Sequence, residues 1–200
     1  MLVALALALP ATEPPLDELT LRRAQRGDER AWRDLVRRYQ QPVHQLIWRM
    51  FARRAQHRVE DLVQETFVRV LKALPEFDPS GPASLATWLL TIATRLALNE
   101  LRRPEHAALD AEPPAPEARA DGDLDRRRLG HAIATGVANL PDAQRAVFVL
   151  REYHDLDYAD IAAALELDLN TVKSRLSRAR AAMRAHLETA APEFARGGGR

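Results

Sequence analysis

Apolar residues recur three and four positions apart along most of this chain, the spacing that lines one side of an α-helix. Nowhere do they alternate as a half-buried strand requires, and no internal repeat is visible. From Leu16 to Arg54 the pattern comes in pieces broken near Gly27 and Pro42. Asp28 is placed to cap the piece that carries Trp32, Leu35, Val36 and Tyr39. The clearest helix holds Val59, Leu62, Val63, Thr66, Phe67, Val70, Leu71 and Leu74, and Pro75 ends it. The stretch PEFDPSGPA, Pro75 to Ala83, has three prolines and a glycine and is expected to hold no regular structure. Ser84 then caps a long helix that runs to about Arg103, where Pro104 breaks it.

Residues 104–122 contain four prolines and no apolar period, the composition of a linker. Beyond it the pattern predicts four helices: about Leu124 to Asn139, Asp142 to Tyr153, Tyr158 to Glu166, and Asn170 to Leu187. The fold expected is all-α, with two small helical domains joined by a flexible acidic Pro/Ala linker, the second containing a helix-turn-helix. The boundaries read as a disordered leader over 1–15, a first domain over 16–103, the linker, a second domain over 123–188 and a frayed tail over 189–200. The apolar run MLVALALALP lacks a basic flank and is far too short to span a bilayer. A start placed too far upstream and a degenerate signal peptide are its other readings, and no segment is expected to insert in a membrane.

Charge changes the picture once it is split along the chain. The formal net charge is only +1. Leu16 to Arg103 carries 16 basic and 11 acidic residues, Pro104 to Asp125 carries one arginine against seven acids, and Arg126 to Leu187 carries 10 basic and 7 acidic residues. Two basic blocks flank an acidic one, a layout that suits contact with a polyanion. The absence of cysteine excludes disulfides and thiol chemistry and fits a reducing cytoplasm. Enzyme chemistry finds little to stand on. His44, His57, His106, His131, His154 and His186 have no metal-ligand spacing, and no phosphate-binding glycine loop or nucleophile motif occurs. Neither metal nor cofactor is expected. Asp155 and Asp157 sit where a helix cap is needed.

The last two helices carry the most specific pattern. Tyr158, Ile161, Ala162 and Leu165 form an apolar stripe on the first, and Val172, Leu176, Ala179 and Met183 form one on the second. Projected at 100° per residue, Lys173, Ser174, Ser177, Arg178 and Arg184 lie away from that stripe, with Arg175 and Arg180 at its borders. No acid stands between Asp168 and Glu188. Such a helix suits the major groove, and Asn170 and Thr171 can cap it with backbone N–H groups beside a phosphate. A basic face solvated on the outside of a bundle is the bland alternative.

The run NLPDAQRAVFVLREYHDLDYADIAAALELDLNTVKSRLSRARAAM, Asn139 to Met183, resembles region four of bacterial RNA polymerase sigma factors of the extracytoplasmic-function group. Leu140-Pro141, Gln144-Arg145, Tyr158 to Ala162, Thr171 to Arg175 and Arg178-Ala179-Arg180 carry that resemblance. The family's turn commonly holds a glycine, and Leu165-Glu166-Leu167 has none. The resemblance implies that Asn170, Thr171, Lys173, Ser174, Arg175, Ser177 and Arg178 read the minus-thirty-five promoter element. EDLVQETFVRV, Glu60 to Val70, resembles the part of region two that docks on core polymerase, which assigns Asp61, Gln64, Glu65 and Arg69 to that interface.

FDPS, Phe77 to Ser80, and TWLLTIATRLALNELRR, Thr87 to Arg103, resemble the segment that melts and reads the minus-ten element. That assigns Phe77, Ser80, Trp88, Arg95, Asn99, Arg102 and Arg103 to the opened strand, aromatics replacing base stacking and cations meeting phosphates. Trp88, Ile92 and Leu96 are also spaced as core anchors, so Trp88 has a structural reading beside the functional one. Leu90, Thr91 and Thr94 depart from the family's usual aromatic and basic residues. The expected partners are core RNA polymerase, promoter DNA and a separate anti-sigma factor. The rival is a helix-turn-helix operator-binding regulator that acts without stable polymerase association.

Overall fold

The computed structural model describes residues 15–52, 56–103 and 124–192, and among them every regular element is helical. Helix α1 spans Glu18–Gln25 and is capped by Asp17, whose carboxylate accepts from the Thr20 N–H at 2.9 Å. Gly27, at a φ of 85°, turns the chain into α2, Glu29–Phe51. Asp28 caps α2 through the Arg30 and Ala31 amides. The expected break at Pro42 is absent: α2 runs through it for 23 residues. Losing one helical hydrogen bond and accommodating the ring is unfavourable by about 3 kcal/mol. Leu35, Tyr39, Val43, Leu46, Ile47, Met50 and Phe51 are buried along one side of the same helix, each worth roughly 1.5–3 kcal/mol, and that stripe outweighs the proline.

A single 3-10 turn, Gln56–Arg58, leads into α3, Val59–Ala73, which buries Val59, Leu62, Thr66, Phe67 and Val70. Leu71, expected in the stripe, is on the outside. A second 3-10 turn, Leu74–Glu76, takes up the start of the loop expected to be irregular. Gln25 Nε2 pins it by donating to the Leu74 and Phe77 carbonyls at 3.0 and 2.7 Å. Helix α4, Leu85–Leu101, starts at Ser84, whose hydroxyl accepts from the Thr87 amide at 3.0 Å. Arg58 donates to the buried Glu100 carboxylate at 3.0 Å, which ties the start of α3 to the end of α4.

The second group is α5 (Leu124–Asn139), α6 (Asp142–Glu152), α7 (Tyr158–Leu165) and α8 (Leu169–Ala190). Helix α8 packs along α6, α5 and α7, and α2 lies at the centre of the first group against α1, α3 and α4. The two groups also pack on each other, through α4 on α7 and α2 on α6 and α5, so buried side chains from both join in one core. Arg145 is the polar centre of that join. The residue is 4% exposed, and its guanidinium donates to the carbonyls of Val137 (3.1 Å), Ala138 (2.9 Å), Leu140 (2.7 Å) and Met50 (2.8 Å) and pairs with Asp142 at 3.3 Å. Four N–H groups of the guanidinium thus donate to backbone carbonyls, with a carboxylate beside it. The leader, apart from residue 15, and the whole of the expected linker lie outside the described residues.

Candidate nucleic-acid interface

Helix α8 buries Val172, Leu176, Ala179, Met183 and Leu187 and leaves Asn170, Lys173, Ser174, Ser177, Arg178 and Arg184 exposed. The expected apolar and basic sides are therefore both present. Thr171 and Arg175 are half-buried. Arg180 folds back to Glu152, with Nε and Nη2 at 2.8 and 2.6 Å, and so leaves the basic face. The cap differs from the expected one. Asp168 caps α8, accepting from the Thr171 amide at 2.8 Å and from the Thr171 hydroxyl at 2.6 Å, while Asn170 and Thr171 are already helical. The Thr171 hydroxyl and amide hold the Asp168 carboxyl below the usual carboxylate range. An ionised side chain already satisfies one of the amides that a phosphate would meet.

The turn before α8 lacks a glycine and is closed by Glu166 in the left-handed region, φ 55° and ψ 48°. The Leu167 N–H then reaches the Ala162 carbonyl at 2.9 Å. Asp157 caps α7 through the Asp160 amide at 2.7 Å. Ile161 and Ala164 are the buried residues of α7, with Tyr158, Ala162 and Leu165 half-buried beside them.

On α4, Trp88, Ile92, Arg95, Asn99 and Arg102 are spaced four and three apart and project as one line. Trp88 is half-buried, and its ring lies 4.9 Å from that of Phe77, itself half-buried. Trp88 and Ile92 are both partly buried against the core, so Trp88 keeps its structural reading beside the functional one. Arg102 donates to the Asn99 Oδ1 at 3.3 Å, and Arg103 pairs with Glu100 at 3.4 Å. Ser80 is exposed in a turn closed by its amide on Asp78 at 2.8 Å. Arg95 does not stand alone on this line: it donates to two carbonyls of α7.

On α3, Asp61, Gln64 and Arg69 are exposed and Glu65 is half-buried. Asp61 pairs with Arg58, and Glu65 with Arg69 at 2.7 Å. Sequence reasoning missed two residues of this side. Val68 and Leu71 are 51% and 48% exposed, apolar surface set among charges, as at the centre of a protein–protein contact. The periodicity offered a signal for Val68 alone, which falls outside the apolar stripe. No group of acids and histidines fit to hold a metal ion and no helix long and apolar enough to cross a membrane occurs among the described residues.

Comparison with known proteins gives the family of the chain. Residues 35–106 match the model of Sigma-70 region 2, and residues 131–183 match that of Sigma-70, region 4. The chain is 33% identical over 186 residues to the RNA polymerase sigma-H factor of Pseudomonas aeruginosa, covering 84% of this chain and 91% of that one. It is equally 33% identical over 186 residues to the ECF RNA polymerase sigma-E factor of Escherichia coli K12, covering 86% and 94%. Among solved structures, CnrH in complex with the cytosolic domain of CnrY aligns with a TM-score of 0.62 and 28% identity, over 86% of this chain and 97% of that one. The sigma factor RpoE of Bartonella quintana, in complex with the anti-sigma factor NepR, shares the fold at a TM-score of 0.62 and 21% identity, over 78% and 96%. Two region models, relatives matched over nearly their whole length and an all-helical structure agree: the chain belongs to the extracytoplasmic-function group of sigma-70 RNA polymerase sigma factors.

Proposed function

We propose that this sigma factor divides its task between residues 16–103, which bind core polymerase and the minus-ten element, and residues 123–188, which bind the minus-thirty-five element, with 104–122 between them. The observation that carries the reading is the exposed side of α8, where Asn170, Lys173, Ser174, Ser177 and Arg178 stand together without an acid. Arg175 joins them at the border and Thr171 at the helix start. On α4 and the loop before it, Phe77, Ser80, Trp88, Arg95, Asn99, Arg102 and Arg103 take the opened strand, with the Phe77–Trp88 pair as the stacking platform. On α3, Asp61, Gln64, Glu65 and Arg69 dock on the polymerase. Two modest DNA contacts become one strong one because both ride on the same enzyme.

The polymerase supplies the chemistry and the chain supplies none, which puts its work in the cytoplasm. An anti-sigma factor is the expected regulator, since two similar structures are complexes, one of them with a protein named as such. The family gives the polymerase-independent regulator no support. The experiment mixes the chain with core polymerase and a promoter from upstream of its own gene. Specific transcripts absent with core alone are expected. Arg175→Glu with Arg178→Glu should abolish promoter binding by holoenzyme and spare core binding, while equal loss of both would defeat the assignment of α8.

A further inference from the structure

Two hydroxyls of α8 have their protons engaged inside the protein. The Thr171 hydroxyl donates to Asp168 Oδ2 at 2.6 Å, and the Ser174 hydroxyl donates to the Thr171 carbonyl at 3.0 Å. Neither partner has a proton to return: a carbonyl oxygen only accepts, and so does an ionised carboxylate. The hydroxyl and amide of Thr171 hold the Asp168 carboxyl below the usual carboxylate range, so it is ionised at neutral pH.

A hydroxyl has one proton and two lone pairs. With the proton turned inward, each of these oxygens presents lone pairs to whatever lies outside. Turning Thr171 outward as a donor would exchange a charge-assisted bond for a neutral one about half as strong. Thr171, Ser174 and Arg178 are spaced three and four apart and project as one line along α8. Ser174 and Arg178 are exposed, and Thr171 is half-buried at the helix start. Along that line the first two groups accept and the third, a guanidinium, only donates.

The major groove is read as a pattern of the same two kinds. Adenine N6 and cytosine N4 are amines that donate, while guanine O6 and thymine O4 are carbonyls that accept. An oxygen that can only accept pairs with an amine and meets a carbonyl lone pair against lone pair. We propose that Asp168 and the Thr171 carbonyl fix the polarity of the Thr171 and Ser174 hydroxyls, so that the start of α8 selects base amines, of adenine or cytosine, in the minus-thirty-five element. The proposal rests on the reading that sets α8 in the promoter's major groove. Asp168 is then a positioning residue, since it aims a proton on the side chain that meets the base.

The test uses holoenzyme and the promoter fragment from upstream of the chain's own gene, with affinity read by fluorescence anisotropy. A transition, A·T to G·C or the reverse, exchanges amine and carbonyl across a base pair. Transitions are made one pair at a time through the minus-thirty-five element, which also shows whether adenine or cytosine supplies each amine. At one or two pairs the wild type is expected to lose about ten-fold in affinity when the amine is replaced. Thr171→Val should erase the preference at one such pair and Ser174→Ala at the other. Ser174 is exposed, so its variant decides the matter if Thr171→Val unfolds. Asp168→Asn still caps the helix but can also donate to the Thr171 oxygen. It should shrink the preference at the Thr171 pair about three-fold or more and leave the Ser174 pair alone. A capping role without the lock would instead weaken every sequence equally.

A preference for the carbonyl at either pair, base preferences untouched by both hydroxyl variants, or a uniform loss in Asp168→Asn overturns the proposal. Promoter binding that survives Arg175→Glu with Arg178→Glu would remove α8 from the DNA altogether, and that failure is distinct because it does not involve the hydroxyls.

Discussion

At the scale of single residues, two buried groups set measurable behaviour. Arg145 is held by carbonyls from the end of α5 and the end of α2. Arg145→Leu strands those acceptors away from water, and the urea midpoint should fall by the equivalent of about 3 kcal/mol or more. His154, just past α6, has a buried Nε2 without a hydrogen-bond partner. Burial, and then the nearby charge of Arg49 from α2, push its pKa down to about 3. Unfolding frees the imidazole to titrate near 6.5, so below that pH the unfolded chain binds the extra proton. The stability allowed by a neutral His154 is complete above about pH 6.5 and falls as pH drops toward 3. Between pH 7 and 5.5 wild type should lose about 1 kcal/mol that His154→Phe does not lose, read from urea titrations at the two pH values. Caps were legible at this scale where a polar residue directly precedes the apolar period, as with Asp28, Ser84 and Asp157. Asp168 was not, because Leu169 and Asn170 behind it gave no apolar-stripe residue to mark the start.

At the scale of elements, hydrophobic spacing located all four helices of the second group to within about a turn. It failed at Pro42, since a local rule about proline carries no information on how much buried surface the helix on either side gains. It failed again at Leu71, which has the right spacing for the stripe but lies at its edge. The exposed Val68 and Leu71 share the outside of α3 with Asp61, Gln64 and Glu65. Replacing both with Asp should weaken binding to core polymerase at least ten-fold by titration of labelled chain, with thermal stability changed by less than about 0.5 kcal/mol. Intact affinity would remove Val68 and Leu71 from the docking surface.

At the scale of the whole molecule, the charge pattern was legible and the association of the two groups was not. Periodicity registers that a helix has a buried side but not what covers it, and α4 is buried on two. The polyanion reading has a quantitative consequence for holoenzyme. Lys173 and Arg178 are exposed on α8, so each contact they make releases counterions from the duplex. Arg178→Ala should flatten the plot of log affinity against log salt by about one unit, measured by fluorescence anisotropy with a promoter fragment. An unchanged slope would mean that Arg178 stays solvated.

The order of synthesis gives the α4–α7 contact a further consequence. The partners Thr87 and Asp160 are 73 residues apart, and Arg95 and Ala163 are 68 apart. At ~5–20 residues per second, a ribosome needs about 4–15 s to pass from one to the other. During that interval the nascent chain already holds α4 but has nothing to close over it. A polymerase or a regulator that meets the chain during translation therefore finds bare the side of α4 that α7 covers in the finished chain.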